Sequence, residues 1–128
     1  MAGTARPSAL LTPDEIALLS HALSEWGGPA RPNDALARAM GFGDAAGLPA
    51  ACDALDDELR RDAPLASEDW ARILVSTEIV FASDLYGSGV DWPTTTGRSD
   101  ADTIALLRSI QVKLDDVLEG QYGNVTTP

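Results

Sequence analysis

The sequence predicts an all-α fold, a single-domain irregular bundle of four to five helices, and three observations predict it. Apolar residues recur at three- and four-residue spacing along most of the chain, and no segment alternates with the two-residue period of a strand. The periodic segments are opened by Ser, Thr, Asn or Asp and closed by Gly or Pro, which are helix start and stop signals. One segment, residues 67–85, is apolar almost all the way round, which puts it at the centre of a bundle.

A chain of 128 residues is long enough to bury one core. Residues 1–11 read as a flexible N-terminal arm, residues 12–120 as the bundle and residues 121–128 as a flexible polar tail. Aromatic residues make up only 5% of the chain, so the core rests mainly on Leu, Ile, Val and Ala.

The first helix opens at TPDE, with Thr12 as N-cap, Pro13 at the first helical position and Glu15 placed for a capping box. Ile16, Leu19, Leu23 and Trp26 form its inner stripe, and Gly27, Gly28 and Pro29 end it. A short second helix starts at Asn33 or Asp34, carries Leu36 and Met40 one turn apart, and stops at Gly41 and Gly43. The third covers residues 48–62. Its inner face is Leu48, Cys52, Leu55 and Leu59, and its outer face carries Asp53, Asp56 and Asp57.

The fourth helix is the central one and starts at Ser67, its expected N-cap ahead of Glu68 and Asp69. Wound at about 100° per residue, it has Trp70, Leu74, Phe81 and Leu85 on one face and Val75, Ile79, Ala82 and Tyr86 nearly opposite. Arg72, Ser76 and Ser83 form a narrow polar strip between them. Glu78 lies on the boundary of the two faces and Asp84 near the first, where a carboxylate needs donors or a cation: either each caps a loop or pairs with an Arg, or they form a buried polar site at the end of the bundle. The second apolar face offers a surface for a homodimer.

The fifth helix is capped by Ser99 or Asp100 and runs to Glu119, with Gly120 just beyond. Ile104, Leu107, Ile110, Leu114 and Val117 form its stripe, and Asp115, Asp116 and Glu119 a second acidic cluster. Between the last two helices stands YGSGVDWPTTTGRSD, residues 86–100, longer than the ~2–8 residues usual between bundle helices. Two readings are open for it. It is a lid, with Trp92 folded onto the bundle end and its indole bonded to Asp84 or Asp91, and with Arg98 paired to either carboxylate. Or it is a recognition surface made of Asp84, Asp91, Trp92, the threonines Thr94 to Thr96 and Arg98.

Charge narrows the partners. Twenty acidic residues against nine basic ones give a net charge of −11, which repels nucleic-acid phosphates and anionic lipid surfaces and favours a basic protein. Cys52 is the sole cysteine, so no intramolecular disulfide forms; that is the pattern of a reducing cytoplasm. Eight Arg to one Lys, beside abundant Ala, Gly and Pro, is the amino-acid signature of a GC-rich bacterial genome.

Catalytic motifs are lacking. GSGVDW has no third glycine of a dinucleotide fingerprint, and TTTG has no phosphate-loop lysine. One His and one Cys cannot build a Cys/His zinc site within one chain, and no cofactor is implied. A triad can be written with His21, but nothing local supports it. The expectation is therefore a non-enzymatic, acidic protein–protein interaction module. In size and composition it is comparable to small inhibitors such as bacterial immunity proteins, with Asp53, Asp56 and Asp57 steering a basic partner and Asp91, Trp92 and Arg98 anchoring it. The alternative is a helical protein with a small-molecule or metal site at residues 86–100, built from Glu78, Asp84, Asp91, Trp92 and Arg98.

Overall fold

In the computed structural model, which describes residues 4–28 and 30–126 (side chains through residue 119), the chain is an all-α bundle with one minimal sheet. The elements run β1 (Thr4–Ala5), α1 (Pro7–Leu10), α2 (Pro13–Glu25), α3 (Asp34–Ala39), α4 (Leu48–Arg60), β2 (Leu65–Ala66), α5 (Ser67–Ala82), α6 (Trp92–Thr96) and α7 (Asp100–Thr126). A 3-10 turn, Gly89–Asp91, precedes α6.

Three of the expected caps form, while α5 has Ala66 as its N-cap, no side-chain cap, and Ser67 as its first helical residue. Thr12 Oγ1 accepts the Glu15 amide at 3.2 Å while Glu15 Oε1 accepts the Thr12 amide at 2.8 Å, a complete capping box opening α2. Asn33 Oδ1 accepts from the Leu36 amide at 2.8 Å and opens α3. Ser99 Oγ accepts from the Asp102 amide at 3.1 Å and opens α7.

Helix α5 is the spine. It packs against α2 and α7, α2 packs in turn on α4, and no residue from 69 to 81 is exposed. Of the polar strip expected on it, Arg72 and Ser83 are part-exposed, and only Ser76 is withdrawn from solvent. Ser76 is fully buried, its hydroxyl donating to Ile73 O in its own helix at 3.1 Å, and the neighbouring Thr77 does the same at 2.7 Å. The second apolar face is not bare either: Val75 and Ile79 pack against the core, which removes most of the surface expected for a dimer.

Three fully or almost fully buried tryptophans fasten the bundle. Trp26 Nε1 donates to Ser76 O at 3.2 Å, joining α2 to α5. Trp70 Nε1 donates to Ala5 O at 3.3 Å, joining α5 to β1. Trp92 Nε1 donates to Thr103 Oγ1 at 2.8 Å, joining α6 to α7. Each indole removes a large apolar surface from water and has its one donor satisfied.

Both ends depart from expectation. The N-terminal arm is built into the fold: Thr4 and Ala5 pair antiparallel with Ala66 and Leu65, Leu11 joins the core, and Arg6 Nη1 donates to Asp62 O at 2.9 Å. Residues 1–3 lie outside the described residues. At the other end, the α7 backbone continues past the expected stop at Gly120 to Thr126, and residues 127–128 lie outside the described residues. Ile104, expected in the α7 stripe, is exposed; the buried positions are Thr103, Leu107, Ile110, Leu114 and Leu118.

Candidate functional site

The connection between α5 and α7 is folded shut. Ser83 ends α5 in an extended conformation, and its hydroxyl accepts the Tyr86 amide at 3.0 Å. The Ser88 amide then donates back to Val80 O at 2.7 Å, and the Arg31 amide to Tyr86 O at 2.6 Å. Gly87 is required by this return: a Cβ there would lie 2.6 Å from Val80 Cα and O. Gly97, at φ +73°, ends α6 in the left-handed region.

Trp92 is therefore a core residue. Its ring meets Phe81 edge-on, with centroids 5.5 Å apart and planes at 77°, and its indole bonds to Thr103 rather than to Asp84 or Asp91. That corrects its assignment as an exposed anchor: Thr103, on the inner side of α7, offers a hydroxyl where both aspartates lie outside.

Asp84 is exposed, and its Oδ1 accepts the Val90 amide at 3.1 Å, so it holds the turn and does not form a buried site. Asp91 is exposed as well. Glu78 is half-buried and satisfied by Gln111 Nε2 at 2.6 Å. Arg98 pairs with neither expected carboxylate. It turns to α2, where Nε donates to His21 Nδ1 at 3.3 Å and Nη1 lies 3.8 Å from Asp14. Of the residues expected to converge on a ligand site at the bundle end, Glu78 is drawn to α7, Arg98 to α2 and Trp92 into the core, while Asp84 and Asp91 lie on the exposed turn.

The α4 acidic face shrinks in the same way. Asp53 is exposed, and Asp57 pairs with Arg61 at 3.0 Å. Asp56 is buried between helices, its Oδ1 accepting from Ser20 Oγ at 2.5 Å and its Oδ2 lying 3.3 Å from Arg60 Nε. A carboxylate spent on α2 does not steer a partner.

Two carboxylates carry tertiary roles that periodicity did not expose. Glu15 is 1% exposed and closes the capping box while Lys113 Nζ, from α7, sits 2.7 Å from its Oε1. Burial alone would push its pKa up. The Lys113 ammonium, the Ser109 hydroxyl and the Thr12 amide and hydroxyl outweigh burial and bring it down to about 2. Glu25, at the end of α2, is buried and accepts from Ser88 Oγ at 2.7 Å and from Thr95 Oγ1, which fastens the α5–α7 connection to α2. The signal for Glu15 lay in the capping box, and its partner is the only lysine; for Glu25 nothing in the local pattern singled it out.

A shallow groove of about 510 Å³ runs between α1, α2 and α4 over Pro13, Ile16, Ala17 and Leu59, with Ser8, His21, Arg60 and Asp62 at its rim. The Ser8 hydroxyl and amide both donate to the Asp62 carboxylate, at 2.6 and 2.8 Å, and lower its pKa. No triad assembles beside it. The Ser20 hydroxyl is given to Asp56, and His21 Nδ1 accepts from Arg98. Among the described residues no cluster of three His, Cys, Asp or Glu is placed to hold a metal ion, and no helix is long and apolar enough to cross a membrane.

The outer side of α7 is different. Asp100, Asp102, Asp115, Asp116 and Glu119 are all exposed there. The nearby cations are largely withdrawn: Lys113 is held by Glu15 and Arg98 faces α2, leaving Arg108, which bonds to Gln111 at 2.7 Å. The same flank carries exposed apolar side chains, Ile104 at 53% and Val112 at 69% exposure, with Leu85 at 74% and Val90 at 78% in the preceding connection. Comparison with protein-family models, with curated proteins and with solved structures found no match to this chain.

Proposed function

We propose that this protein is a small, non-catalytic interaction module that binds a basic protein partner through the acidic outer side of α7. The observation that carries the reading is the separation of charge on that helix. Five exposed carboxylates stand on it, while Lys113 is drawn to Glu15. A negative field of this kind speeds encounter with a positive partner and disfavours acidic ones. An inhibitor of the immunity type, neutralising a basic protein, is one form such a module takes.

The non-catalytic part is supported by the state of the nucleophiles. Cys52 is fully buried, and burial, with the Asp53 charge behind it, pushes its thiol up to about 12. Ser20 and His21 are each engaged with a different partner. A ligand site at the α5–α7 connection finds little support, because Trp92 and Glu25 close that end of the bundle.

The test is affinity capture from native lysate at low and high salt, comparing the wild-type chain with a triple Asp115→Asn, Asp116→Asn, Glu119→Gln variant. A single stoichiometric basic partner, held at low salt, released at high salt and lost by the variant, is the expected outcome. Equal recovery by both proteins overturns the reading.

A further inference from the structure

We propose that the flank formed by α7 and the connection before it docks a positively charged amphipathic helix of the partner protein. This deepens the acidic-module reading and rests on it. An isolated exposed apolar residue is ordinary on any protein surface. Here the large exposed apolar side chains of the described residues, Leu85, Val90, Ile104 and Val112, all fall within one stretch of chain, and the outer sides of α2 and α4 contribute none.

Their arrangement fits a helix. Ile104 and Val112 are about 12 Å apart along α7, two turns, with Ala105 and the side chain of Arg108 exposed between them. Leu85 and Val90 sit at the end of the bundle where α7 begins, held there by the Asp84–Val90 hydrogen bond and by the Trp92–Thr103 bond beneath. The carboxylates bracket this apolar row: Asp100 and Asp102 at the start of α7, Asp115, Asp116 and Glu119 toward its far end. A partner that covers Ile104 and Val112 must meet charge at both ends of the row. A helix with apolar residues three and four apart and with Lys or Arg flanking them satisfies both demands.

A second copy of this chain does not. It would bring the same five carboxylates against themselves, and like charges brought together at an interface cost several kcal/mol. Charge complementarity therefore selects a basic occupant over a self-association.

The experiment is a fluorescence-anisotropy titration of the full chain with two labelled synthetic peptides of identical Leu and Lys composition. In one, the leucines follow helical spacing; in the other, they are scrambled off any common face. The protein variants are Ile104→Gln/Val112→Gln, which keeps charge and helix propensity at exposed positions, and Asp115→Asn/Asp116→Asn. Circular dichroism checks that each remains folded.

The amphipathic peptide is expected to bind at least about tenfold more tightly than the scrambled one, and Ile104→Gln/Val112→Gln to abolish that advantage. Asp115→Asn/Asp116→Asn is expected to weaken both peptides and flatten their salt dependence. If both peptides bind equally, or the advantage survives in Ile104→Gln/Val112→Gln, the docking proposal is overturned. It falls alone if the carboxylate variant still weakens binding. If neither peptide binds at low salt, or the carboxylate variant binds both unchanged, the acidic-module reading falls with it.

Discussion

Lys113 Nζ on α7 lies 2.7 Å from Glu15 Oε1 on the first turn of α2, so the only lysine in the chain seals the capping box of a helix that begins 100 residues earlier by the numbering of Pro13 and Lys113. Helix initiation and long-range packing share one carboxylate. Glu15 cannot be protonated without weakening both.

That coupling makes stability fall in acid. The folded-state pKa of Glu15, about 2, lies below its ordinary 4.5, so its contribution is complete above the unfolded value and is lost as pH drops from about 4.5 to about 2. The contribution is on the order of 3 kcal/mol. Lys113→Met leaves the carboxylate buried without its cation and is expected to cost about 2 kcal/mol at pH 7. Urea denaturation at pH 7 and pH 2.5 checks this: the gap between variant and wild type should narrow at the lower pH. A gap of the same size at both would contradict the assignment.

Glu25→Ala strips the acceptor from Ser88 and Thr95 and is expected to destabilise the chain by about 2 kcal/mol, with Glu25→Gln costing less because an amide oxygen still accepts. Hydrogen exchange by mass spectrometry should show the loss of protection concentrated in residues 86–97 for Glu25→Ala. Uniform loss over the whole chain would mean that Glu25 supports the bundle at large and not this connection.

Gly87→Ala forces the backbone apart where a Cβ would approach Val80 Cα and O at 2.6 Å and Ile79 O at 2.8 Å. Since those atoms belong to α5 backbone, no side-chain rotation relieves the clash, and a loss of about 1–3 kcal/mol is expected. Thermal melting of Gly87→Ala beside Gly43→Ala, where the added Cβ meets nothing within 4 Å, isolates the steric effect. Equal melting temperatures would show that the connection yields.

Cys52 is expected to resist alkylation in the native state at neutral pH, because its buried thiol, pushed up to about 12, yields almost no thiolate. Labelling by a maleimide should proceed at the rate of unfolding and accelerate with urea. Rapid labelling of the folded chain would place the thiol at the surface.

What the sequence made legible is what local chemistry determines. The Thr12–Glu15 box, the Asn33 cap, the Ser99 start and the all-round apolar α5 each depend on neighbours within a turn or two, and each is found in the structure. Trp92 was harder because it stands in an aperiodic stretch, where nothing in the spacing says whether an indole turns inward. Thr103 shows the converse. Periodicity put Ile104 in the α7 stripe, yet Thr103, one residue earlier and in helical phase with Leu107, Ile110 and Leu114, takes the buried position, where its hydroxyl accepts from Trp92. Asp56 looked like one of three surface aspartates, and only the approach of Ser20 from α2 distinguishes it.

The three tryptophans have a practical consequence. They bridge separate joints, α2 to α5 through Trp26, α5 to the N-terminal strand through Trp70, and α6 to α7 through Trp92. Chains that retain one indole and carry Phe at the other two would each glow from a single seam, so the order in which the seams open during unfolding becomes a matter of comparing three emission traces.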